Sequence, residues 1–520
     1  MSNWGVATPH RTASEHAAGV LARGGNAVDA ALAAAVVLAV VYPDQCSVGG
    51  DVIALVGTPD GGVVSVDGSG RAPLAADADR VGSGMPIYGP HPVTVPGAVA
   101  AWFEMSQRWG SSPLADALRA AADLAAGGVA VAPGLARALA REAGRLRTDP
   151  GLSEVFLPGG DLLCAGQTLL QPRLAGTLEA LAESGPEAFY TGSVARSIVA
   201  TVREHGSGMV LEDFSMHRTS VGEPVAGTYA GVDYLTAPPG SQGLFFLEGL
   251  AALELVREHL GRHLDPSGAD AAVVATVMDA AARDRDAMLG DPGSTTIDLD
   301  ALLSTRAQAI GRDALARRRR DDAKAAVKPS GDTVAVVVTD GRGGWVSLMQ
   351  SNFHAFGSGI LDPGTGVVLH NRGASFELRP GSPNRFSGGR RPAHTLMPVL
   401  VRERGDIVGA HGTMGGRAQP QIHAQLALQL ARGATPEEAV SGPRWVLEPR
   451  KAGSDATGPG VVAVEEDLPL EGRRRLAREF RVNRLAVHDD EVGHAQVVRR
   501  TEGRVVAATD PRADGAALTG

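Results

Sequence analysis

Apolar residues run unbroken from Ala30 to Val41, preceded by Asn26 and followed by Pro43. With no polar stripe, this segment predicts a helix buried on every side, opened by Asn26 and stopped by the proline. Before it, Thr12 and Glu15 have capping-box spacing for a short helix that Gly24-Gly25 ends. Val52–Val56 and Val63–Val66 read as strands around the turn Pro59-Asp60-Gly61-Gly62. From Gly97 to Leu289 the 3.6-residue period dominates, predicting helices near 97–108, 113–126, 173–183, 193–204, 243–260 and 270–288. Arg317–Ser330 breaks the pattern with a charge run and predicts a solvated helix end plus linker. Beyond it β-branched runs take over. Strands are expected over Thr333–Thr339 and Trp345–Met349, and near 366–370, 397–402, 406–411, 461–465, 482–487, 495–500 and 504–508, with a helix near 419–432. Strands from both ends of the chain with helices between predict layered α+β packing.

Composition narrows the function classes. The chain has 520 residues, 44% hydrophobic and 21% charged, which suits a soluble globular protein with an ample core. A net charge of −9 argues against a nucleic-acid partner, and no aromatic residues interleave the run Arg317–Arg320. Cys46 and Cys164 are the two cysteines, too few for a disulfide framework or a thiolate cluster. The N-terminal Met1–Gly5 carries no cationic or apolar leader signal, and Ala30–Val41 is shorter than a membrane span. The expected location is cytoplasmic.

Most candidate motifs fail on spacing. Gly68-Ser69-Gly70-Arg71 lacks the Walker spacing and its lysine, so it reads as a strand-ending loop. His411 and His423 have no partners that would complete a metal site, and no GxSxG elbow occurs. No cofactor or metal is expected. There remains Gly331-Asp332-Thr333, where a threonine opens a strand straight after the linker. A threonine hydroxyl needs a base beside it to act as a nucleophile. Cutting the Asp332–Thr333 bond would supply one, because the freed α-amine has an ordinary pKa of about 7.7–8.

Ordered motifs along nearly the whole chain point the same way. They include Ala13-Ser14-Glu15, Gly24–Ala31, Gly49-Gly50-Asp51, Val93–Gly97, Ala188–Gly192, Leu211-Glu212-Asp213 and Pro239–Gly243. Asp284-Arg285-Asp286, Gly290-Asp291-Pro292, Phe356–Gly359, Gly364–Gly366, Arg391-Pro392, Met414-Gly415-Gly416, Gly493-His494-Ala495 and Asp510–Ala516 continue the series. In these the sequence resembles the γ-glutamyltransferase (γ-glutamyltranspeptidase) family of N-terminal-nucleophile hydrolases. The resemblance implies a four-layer αββα sandwich from a precursor that cuts itself before Thr333. It implies a large chain 1–332, ending in a mobile linker near 317–332, and a small chain 333–520. The two would stay associated as a heterodimer and build one domain.

The resemblance also implies roles. Thr333 attacks an acyl carbonyl, its α-amine carries the proton, and water or an amine accepts the acyl group from the acyl-enzyme. Gly415 and Gly416 match the family's oxyanion hole, and Ser351 a hydroxyl that supports the nucleophile. Recognition of the γ-glutamyl group departs from the family pattern. Ser69 takes the slot of the family's carboxylate-binding Arg, with Arg71 two residues later. His394-Thr395 replace a serine pair, and Ser375 stands where an Asp would hold the α-ammonium. Arg372 replaces a neutral amide. The expected activity is cleavage of a γ-glutamyl or similar acyl amide of the glutathione type. A specialised homologue acting on a dicarboxylic acyl amide or a biosynthetic intermediate, where the bond broken need not be an amide, is one alternative. A silent binding scaffold is another.

Overall fold

The computed structural model describes residues 3–316, 332–448 and 460–520. The predicted linker Arg317–Ser330 lies outside the described residues.

Two antiparallel sheets form the centre. The first has seven strands in the order Ala516–Thr519, Gly5–Thr8, Asp332–Thr339, Trp345–Phe353, Asp51–Gly57, Val63–Asp67 and Ser220–Gly222. The second has six, in the order Arg504–Thr509, Ala495–Thr501, Asp406–Thr413, Val399–Glu403, Val232–Thr236 and Val225–Tyr229. Alternate residues of each strand face opposite layers. Val334, Val336 and Val338 join Val36, Leu38 and Trp102 in an outer helical core. Val337 and Leu55 face inward against Leu400, Ala410 and Val498 of the second sheet. The outer face of that sheet packs Val399 and Val401 on Phe246, Leu250 and Leu428. Each such side chain contributes roughly 1.5–3 kcal/mol by leaving water. The order of layers is helix, sheet, sheet, helix, the four-layer sandwich that the sequence resemblance implies.

The apolar helix spans Ala27–Val41, and every residue of it is buried. Asn26 caps it reciprocally with Asp29, whose carboxylate also accepts from the amides of Ser111 and Ser112. The chain then turns into Asp44–Ser47, which is tied to the Trp345–Phe353 strand. Asn352 N donates to Gln45 O (2.9 Å), and Asn352 Nδ2 to Pro43 O (3.1 Å).

Some local expectations change. The first helix spans Arg11–Ala22 and is capped by His10, whose Nδ1 accepts from Thr12 N, so Thr12 is not its cap. Arg11 N is held by Asp514 O from the far end of the chain, and this contact starts the helix early. The stretch 97–289 is not helical throughout. Val225–Tyr229 and Val232–Thr236 form a hairpin on the edge of the second sheet, with Gly231 (φ 80°) in its tight turn. The strand expected near 366–370 shrinks to Val367–Val368, paired with Leu361–Asp362. Among the described residues no helix is long and apolar enough to cross a membrane.

Candidate active site

Thr333 stands at the head of a central strand whose two faces are both covered. It shares the inter-sheet face with Ala335 and Val337. Its neighbour strand is irregular: the pairing of Trp345–Phe353 with Asp332–Thr339 shifts register between Gln350 and Phe353. A bulge of this kind re-aims side chains. Here it turns Ser351 onto the start of the Thr333 strand.

The contacts around the Asp332–Thr333 bond then follow. Thr333 Oγ1 donates to Ser351 Oγ at 3.3 Å. Ser351 Oγ donates to the main-chain oxygen of Asp332 and accepts from Phe353 N at 2.7 Å. In the uncut chain Thr333 N is an amide, and it donates to Gln45 Oε1 at 2.9 Å. Gln45 Nε2 donates to Asp332 Oδ1 (3.2 Å) and Asp44 Oδ2 (3.3 Å). A hydroxyl, a carbonyl and a hydroxyl donor to that carbonyl therefore meet at one peptide bond, with the nitrogen held from the other side.

The second sheet brings Gly415 and Gly416 to the same end. Gly412 abuts Ala335 and Met349, while Ala410 clusters with Val337. Moving from Val337 toward Thr333 is thus moving from Ala410 past Gly412 toward Gly415. Gly415 has φ 139° and Gly416 φ 51°, a backbone that side chains resist. A Cβ on Gly415 would also lie 2.6 Å from Ile422 Cδ1. The loop is braced from behind. Gln242 Nε2 donates to Gly416 O (2.8 Å) and Thr395 O (2.7 Å), and Arg285 Nη1 donates to Gln242 Oε1 (3.1 Å).

Arg372 is fully buried, with its guanidinium 3.8 Å from the centre of the Phe353 ring. Its Nη2 donates to Thr395 Oγ1 (3.0 Å), and its Nε and Nη1 have no hydrogen-bond partner. Burial pushes its pKa down to about 9, with Asp51 opposing. Phe353 adopts φ 79°, a strained setting for a side-chain-bearing residue, and pairs with Asp332. The ring under Arg372 and the bond before Thr333 are therefore neighbours.

His394 is not presented as a free donor. Its Nδ1 accepts from Leu396 N (3.2 Å), so its Nε2–H is the donor to Asp51 Oδ2 (3.2 Å). Burial and Arg372 push its pKa down to about 4, so the ring is neutral at pH 7. Asp51 also takes Gly70 N and lies 3.3 Å from His370 Nδ1. Burial alone would raise its pKa, but the two histidines outweigh it and hold the carboxyl well below the usual range. Ser375 Oγ is engaged by Arg372 O (3.0 Å) and Ala393 O (2.9 Å). Arg71 is half-exposed and reaches Gly389 O (2.8 Å), with Asp291 at 3.9 Å. Its loop does end the strand Val63–Asp67. Gly70 there has no room for a Cβ, which would meet Val95 O at 1.6 Å. Thr333, Ser351, Gly416, Thr395 and Arg372 are thus joined by one network, which Ser375 meets at the Arg372 main-chain oxygen, while the His394 and Arg71 side chains bond elsewhere. Among the described residues no group of three His, Cys, Asp or Glu side chains could hold a metal ion.

The sequence model described as Gamma-glutamyltranspeptidase matches residues 13–520. The chain belongs to the gamma-glutamyltranspeptidase family. Within this family it is 35% identical to an oxamate amidohydrolase proenzyme of Klebsiella pneumoniae, over 99% of this chain and 98% of that one. It is 33% identical to a glutathione hydrolase-like YwrD proenzyme of Bacillus subtilis, again over 99% and 98%. Among solved structures, a cephalosporin acylase from Bacillus halodurans superposes with a TM-score of 0.88 at 31% identity, covering 99% of this chain and 96% of that one.

Three residues at this family-type centre escaped the sequence reading: Asp44, Gln45 and Phe353. Gln45 lies 288 positions from Thr333 in the chain. The signal that could have found the first two is their place straight after the buried helix, in polar residues that are themselves buried. Asp44 and Asp332 face each other across Gln45. Burial and the Asp332 charge push the Asp44 pKa up to about 7. Burial pushes Asp332 up to about 6, with Arg141 opposing and Asp490 and Glu142 assisting.

Both carboxyls hold their protons to higher pH in the fold than in the unfolded chain. The uncut fold therefore loses stability as pH rises from about 4 to 7, and the loss is complete above that range. For Asp44 the ceiling is about 4 kcal/mol, from about three units at 1.36 kcal/mol each. In a Thr333→Ala background, Asp44→Asn is expected to raise the melting temperature at about pH 8 and to change it little at about pH 4.5. Thermal melts at both pH values check this. Equal effects at the two would sink the assignment.

Proposed function

We propose that this chain is a self-processing amide hydrolase whose nucleophile is Thr333, acting on a small acyl amide rather than on a γ-glutamyl amide. The observation that carries the first half is the Ser351 hydroxyl on the Asp332 carbonyl, with Thr333 Oγ1 on the same hydroxyl. Thr333 Oγ adds to the Asp332 carbonyl carbon, and Ser351 Oγ–H stabilises the oxyanion that forms. The C–N bond breaks, the proton from the Thr333 hydroxyl passes to nitrogen, and an ester joins Asp332 to Thr333 Oγ. Water hydrolyses this ester, leaving a carboxylate on Asp332 and a free α-amine on Thr333. The products are 1–332 and 333–520, which stay together because their strands share one sheet.

The freed amine serves as base for the next acyl transfer, with Gln45 Oε1 orienting it. Thr333 Oγ attacks the substrate carbonyl, Gly415 and Gly416 N–H groups hold its oxygen, and the amine protonates the leaving nitrogen. Water, or an amine acceptor, then releases the acyl group. No cofactor enters any step.

The second half rests on recognition. A γ-glutamyl group brings an ammonium that needs an anion. Ser375 offers none, and the two oxygens of Asp51 are already taken by His394 Nε2 and Gly70 N. The relatives named as an oxamate amidohydrolase and a cephalosporin acylase support this reading. It is tested by assaying matched γ-glutamyl and glutaryl anilides with the mature protein. Faster cleavage of the glutaryl compound is expected. A γ-glutamyl preference would restore the glutathione-type reading, and cleavage of no amide by a processed chain would point to a binding scaffold.

A further inference from the structure

The Gly415–Gly416 loop is held by side chains from the other side of the Asp332–Thr333 bond. Gln242 is fully buried, and its side-chain amide is used at both ends. Nε2 donates to Gly416 O (2.8 Å) and to Thr395 O (2.7 Å), and Oε1 accepts from Arg285 Nη1 (3.1 Å). The same Arg285 nitrogen donates to Arg417 O (2.8 Å), and Asp286 pairs with both Arg285 and Arg417. Two successive carbonyls, Gly416 O and Arg417 O, are therefore pinned by one linked pair of donors. Gln242 is anchored in turn. Its main-chain N donates to His394 O (3.0 Å), and Ser241 Oγ beside it donates to Leu396 O (2.6 Å).

A glycine pair needs such a brace. Glycine gives the backbone its greatest freedom, so an unbraced pair would sample many orientations of its N–H groups. Donors to a developing negative charge work best when already aimed, with no reorganisation left to make. Gly416 O is fixed by Gln242 and Gly415 O by Ala418 N (2.8 Å), so the peptide planes on both sides of Gly416 are set. In the proposed self-cleavage the oxyanion would form elsewhere, at Asp332 O, where the donor is Ser351 Oγ on the neighbouring strand.

We propose that Gln242 is a positioning residue for substrate hydrolysis, aiming the Gly415 and Gly416 N–H groups at the oxyanion, and that it takes no part in self-cleavage. The proposal rests on the reading of Thr333 as the nucleophile and of the glycine pair as its oxyanion hole. The two acyl transfers then use different oxyanion donors, and Gln242 acts on the second alone.

The test compares the wild type with Gln242→Glu and Gln242→Met. Glutamate keeps the size and the link to Arg285, but it replaces both Nε2–H donors by an oxygen that Gly416 O repels. Methionine keeps the volume and removes both links. For the mature proteins on glutaryl and γ-glutamyl anilides, kcat is expected to fall about 10- to 100-fold in each variant, with KM changed less than about threefold. The rate of fragment appearance in the purified precursors should stay within about threefold of wild type. A wild-type kcat in either variant would overturn the proposal. Equal losses in kcat and in self-cleavage, or precursors that do not fold, would overturn it too, since both mark a purely structural role. A wild type with no new N-terminus at Thr333, or a processed one that cleaves neither anilide, would instead overturn the reading beneath it.

Discussion

Replacing Thr333 by Ala is expected to leave the chain at full length and to abolish amide hydrolysis, while the fold is retained. The expected loss of rate is on the order of 10⁶, the size seen when a hydrolase loses its nucleophile. Two consequences follow from one side chain. The hydroxyl that would attack Asp332 is gone, so no cut is made. The amine that would act as base is never freed either, because its nitrogen stays an amide. Thr333 is buried with its hydroxyl on Ser351, and alanine removes that one contact without opening a large cavity. Intact mass measurement of both proteins checks this. The wild type should give fragments that meet between Asp332 and Thr333, and the variant one mass. Thr333→Ser keeps the hydroxyl and should still be cut. If the alanine variant were processed or active, the nucleophile would lie elsewhere.

Replacing Ser351 by Ala is expected to slow self-cleavage by about 10²–10³, the usual result of removing one donor to a developing oxyanion. Ser351 Oγ is engaged on three sides: it donates to Asp332 O and accepts from Thr333 Oγ1 and Phe353 N. In the proposed cut the first contact would polarise the carbonyl under attack, and the second would align the attacking oxygen. Alanine removes both and leaves Phe353 N without its acceptor, which adds a stability cost of about 1–3 kcal/mol. The two effects separate experimentally. The rate of fragment appearance in a purified precursor reports the chemistry, and melts in a Thr333→Ala background report the fold. Ser351→Thr retains the hydroxyl and should recover most of the rate. A Ser351→Ala rate within threefold of wild type would show that the hydroxyl does not act on the carbonyl.

The pH response of the Asp44–Asp332 pair bears on the same bond. Repulsion between the two carboxylates grows as both ionise, and cutting the chain frees the end that carries Asp332. The opposing charges around the pair are Arg141 on one side and Glu142 and Asp490 on the other.

Much of the scaffold is decided by the sequence itself. Ala27–Val41 is a helix wherever it is placed, because a long apolar run with a capping box at one end and a proline past the other allows little else. The β-branched stretch beginning near Thr333, the strands Val461–Glu465 and Ala495–Thr501 and the helix Gly243–Leu260 follow from local propensity and period in the same way. The ordered motifs carry the family as well, and with it the place of Thr333, Ser351 and the glycine pair.

The tertiary structure alone decided what surrounds the Asp332–Thr333 bond. The strand Asp332–Thr339 is buried on both faces, so no alternation in it says which way Thr333 points. That is settled by Gly412, Ala335 and Met349 meeting between the sheets. Gln45 and Asp44 read locally as a helix-ending loop and acquire meaning only where that loop crosses a bulged strand far along the chain. Arg372 has the same history. Its charge is visible in the sequence, but which of its nitrogens meet a protein acceptor is decided only by the packed interior. Local pattern fixes elements because it acts through backbone propensity and burial. The chemistry depends on side chains meeting across hundreds of residues, and only the packed fold specifies those meetings.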